Sequence, residues 1–328
     1  MCPVTLTRCQ FASATGFWAD NTTGRSSSAE CPLAQLIPPR PDDHFHPADP
    51  TLVAALSKGS LFLIGDSTDR NKVNSFCDQL NVKATSYIPG LHLSKAHGNS
   101  GYAACTVKGG FTIGQFMHYG VMDPPYLSYA YPIPEGLQGD AYQHLALDAT
   151  RFRARTKGAD PTLVVVQSYA WDLATLCERR CGLKAAASPE CTKMHGPLKV
   201  DLNDWTRRVT RFLAHVQRVF PKSKILWRTS HVYFEYCGGL DLLHAMNDAA
   251  RTGLPRAGVG LAEWGPMMEK HPDCYGRLHV ATADCNLPYV NRLLNEVARI
   301  VLSQPRDSHN HTTTATATAR WTTHSRVK

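Results

Sequence analysis

The chain has 328 residues, of which 43% are hydrophobic and 19% charged. That supports one sizeable buried core and excludes a coiled coil or a charge-driven disordered chain. A net charge of +8, from 35 basic and 27 acidic residues, suits solubility or an acidic polymer and does not by itself imply nucleic acid, while no run approaches the roughly 18 apolar residues of a spanning helix.

Residues 1–50 are irregular, with serines at 26–28 and Pro38, Pro39, Pro41, Pro47 and Pro50. Apolar runs then alternate with helical patterns. Residues 61–64 read as a buried strand closing at Gly65, followed by a helix over 69–80. A second strand falls within 111–121, a helix over 138–157, and a third strand over 163–167. Residues 201–220 form an amphipathic helix with Trp205, Val209, Phe212, Leu213, Val216 and Val219 on one side. Its arginines Arg207, Arg208, Arg211 and Arg218 fall opposite that stripe and read as a solvated face. Strand 225–227, helix 240–252, strand 259–262 and helix 287–302 complete the pattern. Wholly apolar strands alternating with helices predict an α/β fold, a three-layer αβα sandwich with a parallel sheet. We assign one domain to 51–304, followed by a low-complexity tail over 305–328 that contains TTTATATAR. No internal repeat is present.

The most informative feature is a buried strand running into Gly65-Asp66-Ser67 and then a helix. In α/β folds ligands sit at the carboxyl ends of the strands. A serine there presents its hydroxyl to that crevice, and its N–H lies at a helix N-terminus, where a developing oxyanion is stabilised. Gly65 is expected to permit a sharp turn. The alternative is that Ser67 only caps the helix. A serine nucleophile needs a base from elsewhere in the fold. Of the 15 histidines, His279, in Gly276-Arg277-Leu278-His279 before the final helix, is best placed; a structural histidine is the alternative.

Eleven cysteines are many for a cytosolic enzyme and favour an oxidising compartment. Two sequons, Asn21-Thr22-Thr23 and Asn310-His311-Thr312, agree. Residues 1–7 carry neither a basic nor an apolar signal region. The reading is therefore secretory or extracellular with the signal segment outside this sequence, the alternative being cytoplasmic. Cys177-x3-Cys181 and Cys191-x3-His195 match the ligand types of a zinc site, the rival being a disulfide-stapled loop. Cys274 and Cys285 bracket His279 and are expected to be bridged, and Cys77 is expected to meet Cys105.

Gly65-Asp66-Ser67-Thr68-Asp69-Arg70, Ser168-Tyr169-Ala170-Trp171-Asp172-Leu173, Trp227-Arg228-Thr229 and Leu278-His279 together resemble the SGNH (GDSL-type) hydrolases. More narrowly they resemble the PC-esterase branch, which includes the trichome-birefringence-like proteins and capsule-related O-acetyltransferases. The resemblance runs over 60–300. It implies a flavodoxin-like αβα domain and an acyl-enzyme mechanism without cofactor or metal. Ser67 would attack, His279 would take its proton, and an acetyl-like group would pass to water or a sugar hydroxyl. The oxyanion would be held by the N–H groups of Ser67 and Gly120, the latter in His118-Tyr119-Gly120-Val121. The asparagine that usually gives a third donor is absent; Trp171 stands there, followed by Asp172, which leaves the third donor open, with Ser168 as a candidate. Asp66, Arg70, Trp171 and Asp172 complete the expected substrate-binding surroundings. The family places an aspartate three residues before the histidine, where this chain has Gly276; Asp273, six before, is the candidate acid. A Ser–His dyad and an inactive glycan-binding relative are the alternatives. The implied partner is an acylated polysaccharide or glycan met by a monomer, with no nucleic acid.

Overall fold

A computed structural model describes residues 10–12, 17–19, 54–80, 82–88, 102–107, 109–122, 141–181, 202–231, 239–265 and 283–304. Strands β1 (Gln10–Ala12) and β2 (Phe17–Ala19) pair antiparallel with each other. The remaining strands form one seven-stranded sheet.

Strand β3 (Ser60–Gly65) is buried along its whole length. Leu61 and Leu63 enter one core and Phe62 and Ile64 the other. Both faces are covered, which is why the run is uniformly apolar instead of alternating. Burying each of these side chains contributes about 1.5–3 kcal/mol. Helix α1 (Ser67–Gln79) follows directly. Strands β4 (Thr85–Ser86), β5 (Ala103–Thr106) and β6 (Thr112–Met117) come next, then helix α2 (Ala141–Arg155) and strand β7 (Leu163–Val166). Helices α3 (Ala170–Cys181) and α4 (Leu202–Val219), strand β8 (Lys224–Arg228), helix α5 (Gly239–Gly253), strand β9 (Gly260–Ala262) and helix α6 (Ala283–Ser303) complete the order.

The strand order is β4-β5-β6-β3-β7-β8-β9. The five strands from β6 to β9 are parallel. Beyond them, β4 and β5 add an antiparallel edge to this parallel sheet. Gly109-Gly110 turns the chain between β5 and β6, with Gly110 N–H donating to the Val107 carbonyl at 3.0 Å, so a hairpin replaces a helical crossover.

The three expected layers are present. Val73 and Phe76 of α1 and Leu293, Leu294 and Val297 of α6 pack on one face of the sheet. Leu145 and Phe152 of α2, Leu173 of α3, Leu243 and Met246 of α5, and the α4 stripe pack on the other. Of that stripe, Trp205, Val209, Phe212, Leu213 and Val216 are buried. No helix among the described residues is long and apolar enough to cross a membrane.

Cys77 on α1 and Cys105 on β5 form a buried disulfide that closes a separation of 28 residues. The Cys274–Cys285 pairing falls on side chains outside those described. Replacing both Cys77 and Cys105 by alanine is expected to lower unfolding free energy by about 3 kcal/mol. Denaturant titration measures this, and the loss should match that of wild type in reductant.

Candidate active site

At the carboxyl end of β3 the helix cap is Asp66. Its backbone is extended (φ −87°, ψ −163°), and its carboxylate accepts from the Thr68 N–H at 2.8 Å and the Thr68 hydroxyl at 2.6 Å. Its carbonyl accepts from the N–H groups of Asp69 (3.1 Å) and Arg70 (3.3 Å). Ser67 is therefore the first helical residue, half-buried at the N-terminus of α1. The capping reading of Ser67 gives way, because Asp66 fills that role.

Gly65 is needed for space, not for a sharp turn. Its φ lies outside the positive range, but a Cβ there would meet Asp69 Oδ2 at 1.9 Å and Gln167 Nε2 at 2.7 Å. From β6, Gln115 Nε2 donates to the Gly65 carbonyl at 2.9 Å. On the β7 side, Gln167 N–H donates to the Ile64 carbonyl at 2.9 Å, so the chain entering the Ser67 turn is held from both neighbouring strands.

Gly120 is brought to the same edge by register. Gly65 pairs with Met117, and His118 N–H donates to the Gly65 carbonyl at 2.8 Å. Gly120 has φ +98°, and a Cβ would lie 2.5 Å from Asp172 Oδ1. That oxygen accepts from the N–H groups of Val121 (2.7 Å) and Met122 (3.0 Å). The other, Oδ2, accepts from the Ser168 hydroxyl (2.7 Å) and the Trp205 indole N–H (2.9 Å). Burial pushes the Asp172 carboxyl up, and these four hydrogen bonds oppose that shift. Asp172 accordingly anchors the loop after β6. The Ser168 hydroxyl proton points at Asp172, which corrects the expectation that it serves as a third oxyanion donor. Replacing Gly120 by alanine is expected to reduce stability by at least about 1–2 kcal/mol, because an L-residue is strained at that φ, and to reduce turnover with it. Thermal melts and steady-state kinetics on one preparation measure both.

Beneath the turn lies a group of four buried charges, Asp66, Asp69, Lys72 and Arg228. Arg228, the last residue of β8, donates from Nη2 to Thr68 Oγ1 and to Asp69 Oδ2, each at 3.0 Å. Lys72 Nζ donates to the Thr68 carbonyl at 3.1 Å and lies 3.5 Å from Asp69 Oδ1. It also sits 3.5 Å from the centre of the Trp264 ring and 5.6 Å from that of Tyr289. Burial pushes the Lys72 ammonium down to about 7, with Arg228 adding to the fall and Asp69 and Asp66 opposing it. Burial would raise Asp66, but the Arg228 charge and the two hydrogen bonds from Thr68 hold it below the usual carboxylate range. In the sequence, Arg228 stands within the Trp227-Arg228-Thr229 motif, and nothing sets Lys72 apart from a surface lysine except its i, i+3 spacing from Asp69 on the helix face that also carries Val73 and Phe76.

Arg70 lies one turn beyond Ser67 on α1, half-buried. Trp171, also half-buried, packs on Tyr119 with ring centres 5.3 Å apart. Burial pushes the Tyr119 hydroxyl up to about 12, and the Arg70 charge opposes this. Arg70, Tyr119 and Trp171 thus form one aromatic and cationic cluster near the start of α1. His118 turns the other way, into the core. It stacks on Phe212 at 4.2 Å, and burial pushes its imidazole down to about 3, so it is neutral. His279 and Asp273 lie outside the described residues. Of the rival zinc set, Cys177 and Cys181 fall one turn apart on α3, and Cys191 and His195 lie outside the described residues.

No family model and no curated protein matches the chain. Among solved structures it is similar to Est24, a carbohydrate acetylesterase from Sinorhizobium meliloti, at 10% identity and TM-score 0.39, covering 74% of this chain and 99% of that one. It is also similar to Axe2, an acetylxylan esterase from Geobacillus stearothermophilus, at 13% identity and TM-score 0.37, covering 74% and 94%. A peptidoglycan O-acetylesterase is similar at 9% identity and TM-score 0.42, covering 78% and 97%.

Proposed function

We propose that the protein is a serine acyl-esterase or O-acyltransferase acting on O-acyl, acetyl-like groups of cell-surface or extracellular glycans. The observation that carries this reading is the Ser67 turn. A half-buried serine opens a helix at the carboxyl edge of a parallel sheet, with the capping role filled by Asp66. A nucleophile there has the helix N-terminus beside the position where oxyanion charge develops. The neighbouring loop, which carries Gly120, is held in place by Asp172, as a preformed second donor requires.

Ser67 Oγ attacks the acyl carbonyl carbon while His279 accepts the hydroxyl proton. The tetrahedral oxyanion faces the N–H groups of Ser67 and Gly120. Its collapse expels the sugar hydroxyl, which takes the proton from His279, and leaves the acyl group on Ser67. Water, or a second sugar hydroxyl, then attacks the acyl-enzyme with His279 as base, so hydrolysis and transfer differ only in the second nucleophile. Arg70 and the Tyr119–Trp171 pair suit a polar, ring-shaped substrate, since aromatic faces pack on sugar rings and the guanidinium donates to hydroxyls. The buried Cys77–Cys105 bond supports an oxidising, secretory or extracellular setting.

Hydrolysis of 4-nitrophenyl acetate and release of acetate from acetylated polysaccharide, by wild type and by Ser67→Ala, test the assignment. Wild-type hydrolysis that survives in Ser67→Ala removes it.

A further inference from the structure

We propose that Lys72 and Arg228 are positioning residues for the nucleophile: their two buried cations clamp the first turn of α1, through Thr68 and Asp69, and thereby fix the Ser67 hydroxyl and N–H at the carboxyl edge of the sheet. The proposal rests on Ser67 being the nucleophile and adds a device that the esterase reading does not require.

Arg228 belongs to β8, which is separated from β3 by β7. It therefore reaches across a strand to hold the helix that follows β3. Its Nη2 bridges a hydroxyl and a carboxylate on consecutive residues, Thr68 and Asp69. Lys72 grips the same two residues from the next turn of the helix, through the Thr68 carbonyl and Asp69 Oδ1. Ser67 immediately precedes that pair.

Stability alone does not call for charges in this core. Replacing a buried ion pair by well-packed apolar groups is often neutral or stabilising. Lys72 has relative exposure of 0% and Arg228 of 2%. The Trp264 ring lies under both cations, 3.5 Å from Lys72 Nζ and 4.5 Å from the Arg228 guanidinium carbon. Four ionisable groups meeting beside a nucleophile supply directional contacts that an apolar core lacks. Gly65 is part of the device, since any side chain there would push Asp69 away from Arg228.

The groups that face Lys72 are Asp66 and Asp69 at the start of α1, Arg228 from β8, and the rings of Trp264 after β9 and Tyr289 from α6. Burial keeps the Tyr289 hydroxyl neutral. With both cations present the four charges cancel. Loss of the Lys72 proton leaves a net negative charge beside the oxyanion position, and turnover should fall. Burial has already brought that loss down to about pH 7, so an alkaline limb belongs in the accessible range.

The test measures 4-nitrophenyl acetate hydrolysis from pH 5.5 to 9.5 for wild type, Lys72→Met, Lys72→Arg, Arg228→Lys and Arg228→Met, with Ser67→Ala as the blank. Hydrogen exchange of the 66–72 amides is measured at one pH on the same samples. Arg228→Lys should lower kcat by about 100-fold, the scale of an ångström misplacement, with KM within about twofold of wild type. Lys72→Met should lower kcat and abolish the alkaline limb, and Lys72→Arg should restore part of kcat with no limb below pH 9.5. Exchange over 67–70 should speed up in Arg228→Lys and Lys72→Met. Unchanged kcat, pH profile and exchange in variants that melt like wild type would overturn the clamp. Wild type no faster than Ser67→Ala would overturn the esterase reading alone, and the exchange data would still decide whether the turn is clamped. If the methionine variants do not fold, Arg228→Lys and Lys72→Arg carry the decision by the same kcat and exchange criteria.

Discussion

Ser67→Ala is expected to lower kcat/KM for 4-nitrophenyl acetate by at least about 10⁴-fold, and His279→Ala by a similar amount. The two groups form one unit: without the hydroxyl there is nothing to acylate, and without the imidazole its proton has no acceptor at neutral pH. The double variant should therefore lose little more than either single one. Asp273→Asn tests the third member separately. An orienting aspartate in the usual geometry supplies about 10⁴-fold. Asp273 stands six residues before His279 in place of three, so its loss should be far milder, leaving a Ser–His dyad as the working unit. 4-Nitrophenolate burst kinetics on the variants distinguish a failure to acylate from a failure to deacylate. Equal rates in wild type and Ser67→Ala would remove the nucleophile, and full activity in His279→Ala would move the base to another histidine.

Much of this frame was legible in the residues. The run Leu61-Phe62-Leu63-Ile64 reads as a buried strand because helices cover both faces of β3, and helix α4 was legible because only one stripe of it is apolar. The serine turn was legible because a strand, a glycine and a helix start meet within a few residues. The antiparallel edge was hidden for a local reason. Strand β4 is two residues long, too short for any periodicity, although Gly109-Gly110 marked the β5–β6 hairpin. Ser168 and Asp172 were recognised as site residues, but their roles depend on orientation. Sequence carries the identity of a carboxylate and not the fact that two backbone N–H groups, an indole and a hydroxyl converge on it. The same holds for the charges beneath Ser67. Asp69 and Lys72 at i, i+3 look like a solvated helix pair until Arg228 arrives from a strand 159 residues along the chain.

Replacing Asp69 by alanine is expected to cost about 3–5 kcal/mol of stability. The carboxylate faces two cations, at 3.0 Å and 3.5 Å, in a site where each is buried. Its removal leaves Arg228 and Lys72 with Asp66 as the nearest counter-charge, and Asp66 already binds Thr68. Asp69→Asn keeps an oxygen acceptor for Arg228 and should lose less. The pH dependence separates charge from simple loss of volume. Lys72 is depressed from 10.5 unfolded to about 7 in the fold, so between those values the unfolded chain binds the extra proton and stability rises with pH. This contribution is complete above about 10.5 and lost as pH falls through about 7. Without Asp69, which raises the lysine, its titration in the fold moves to lower pH, and the rise begins earlier. Urea unfolding at a series of pH values from 6 to 10 should show the Asp69→Ala deficit narrowest at the alkaline end, where Lys72 is neutral in both proteins. A deficit independent of pH would mean that Asp69 acts through packing alone.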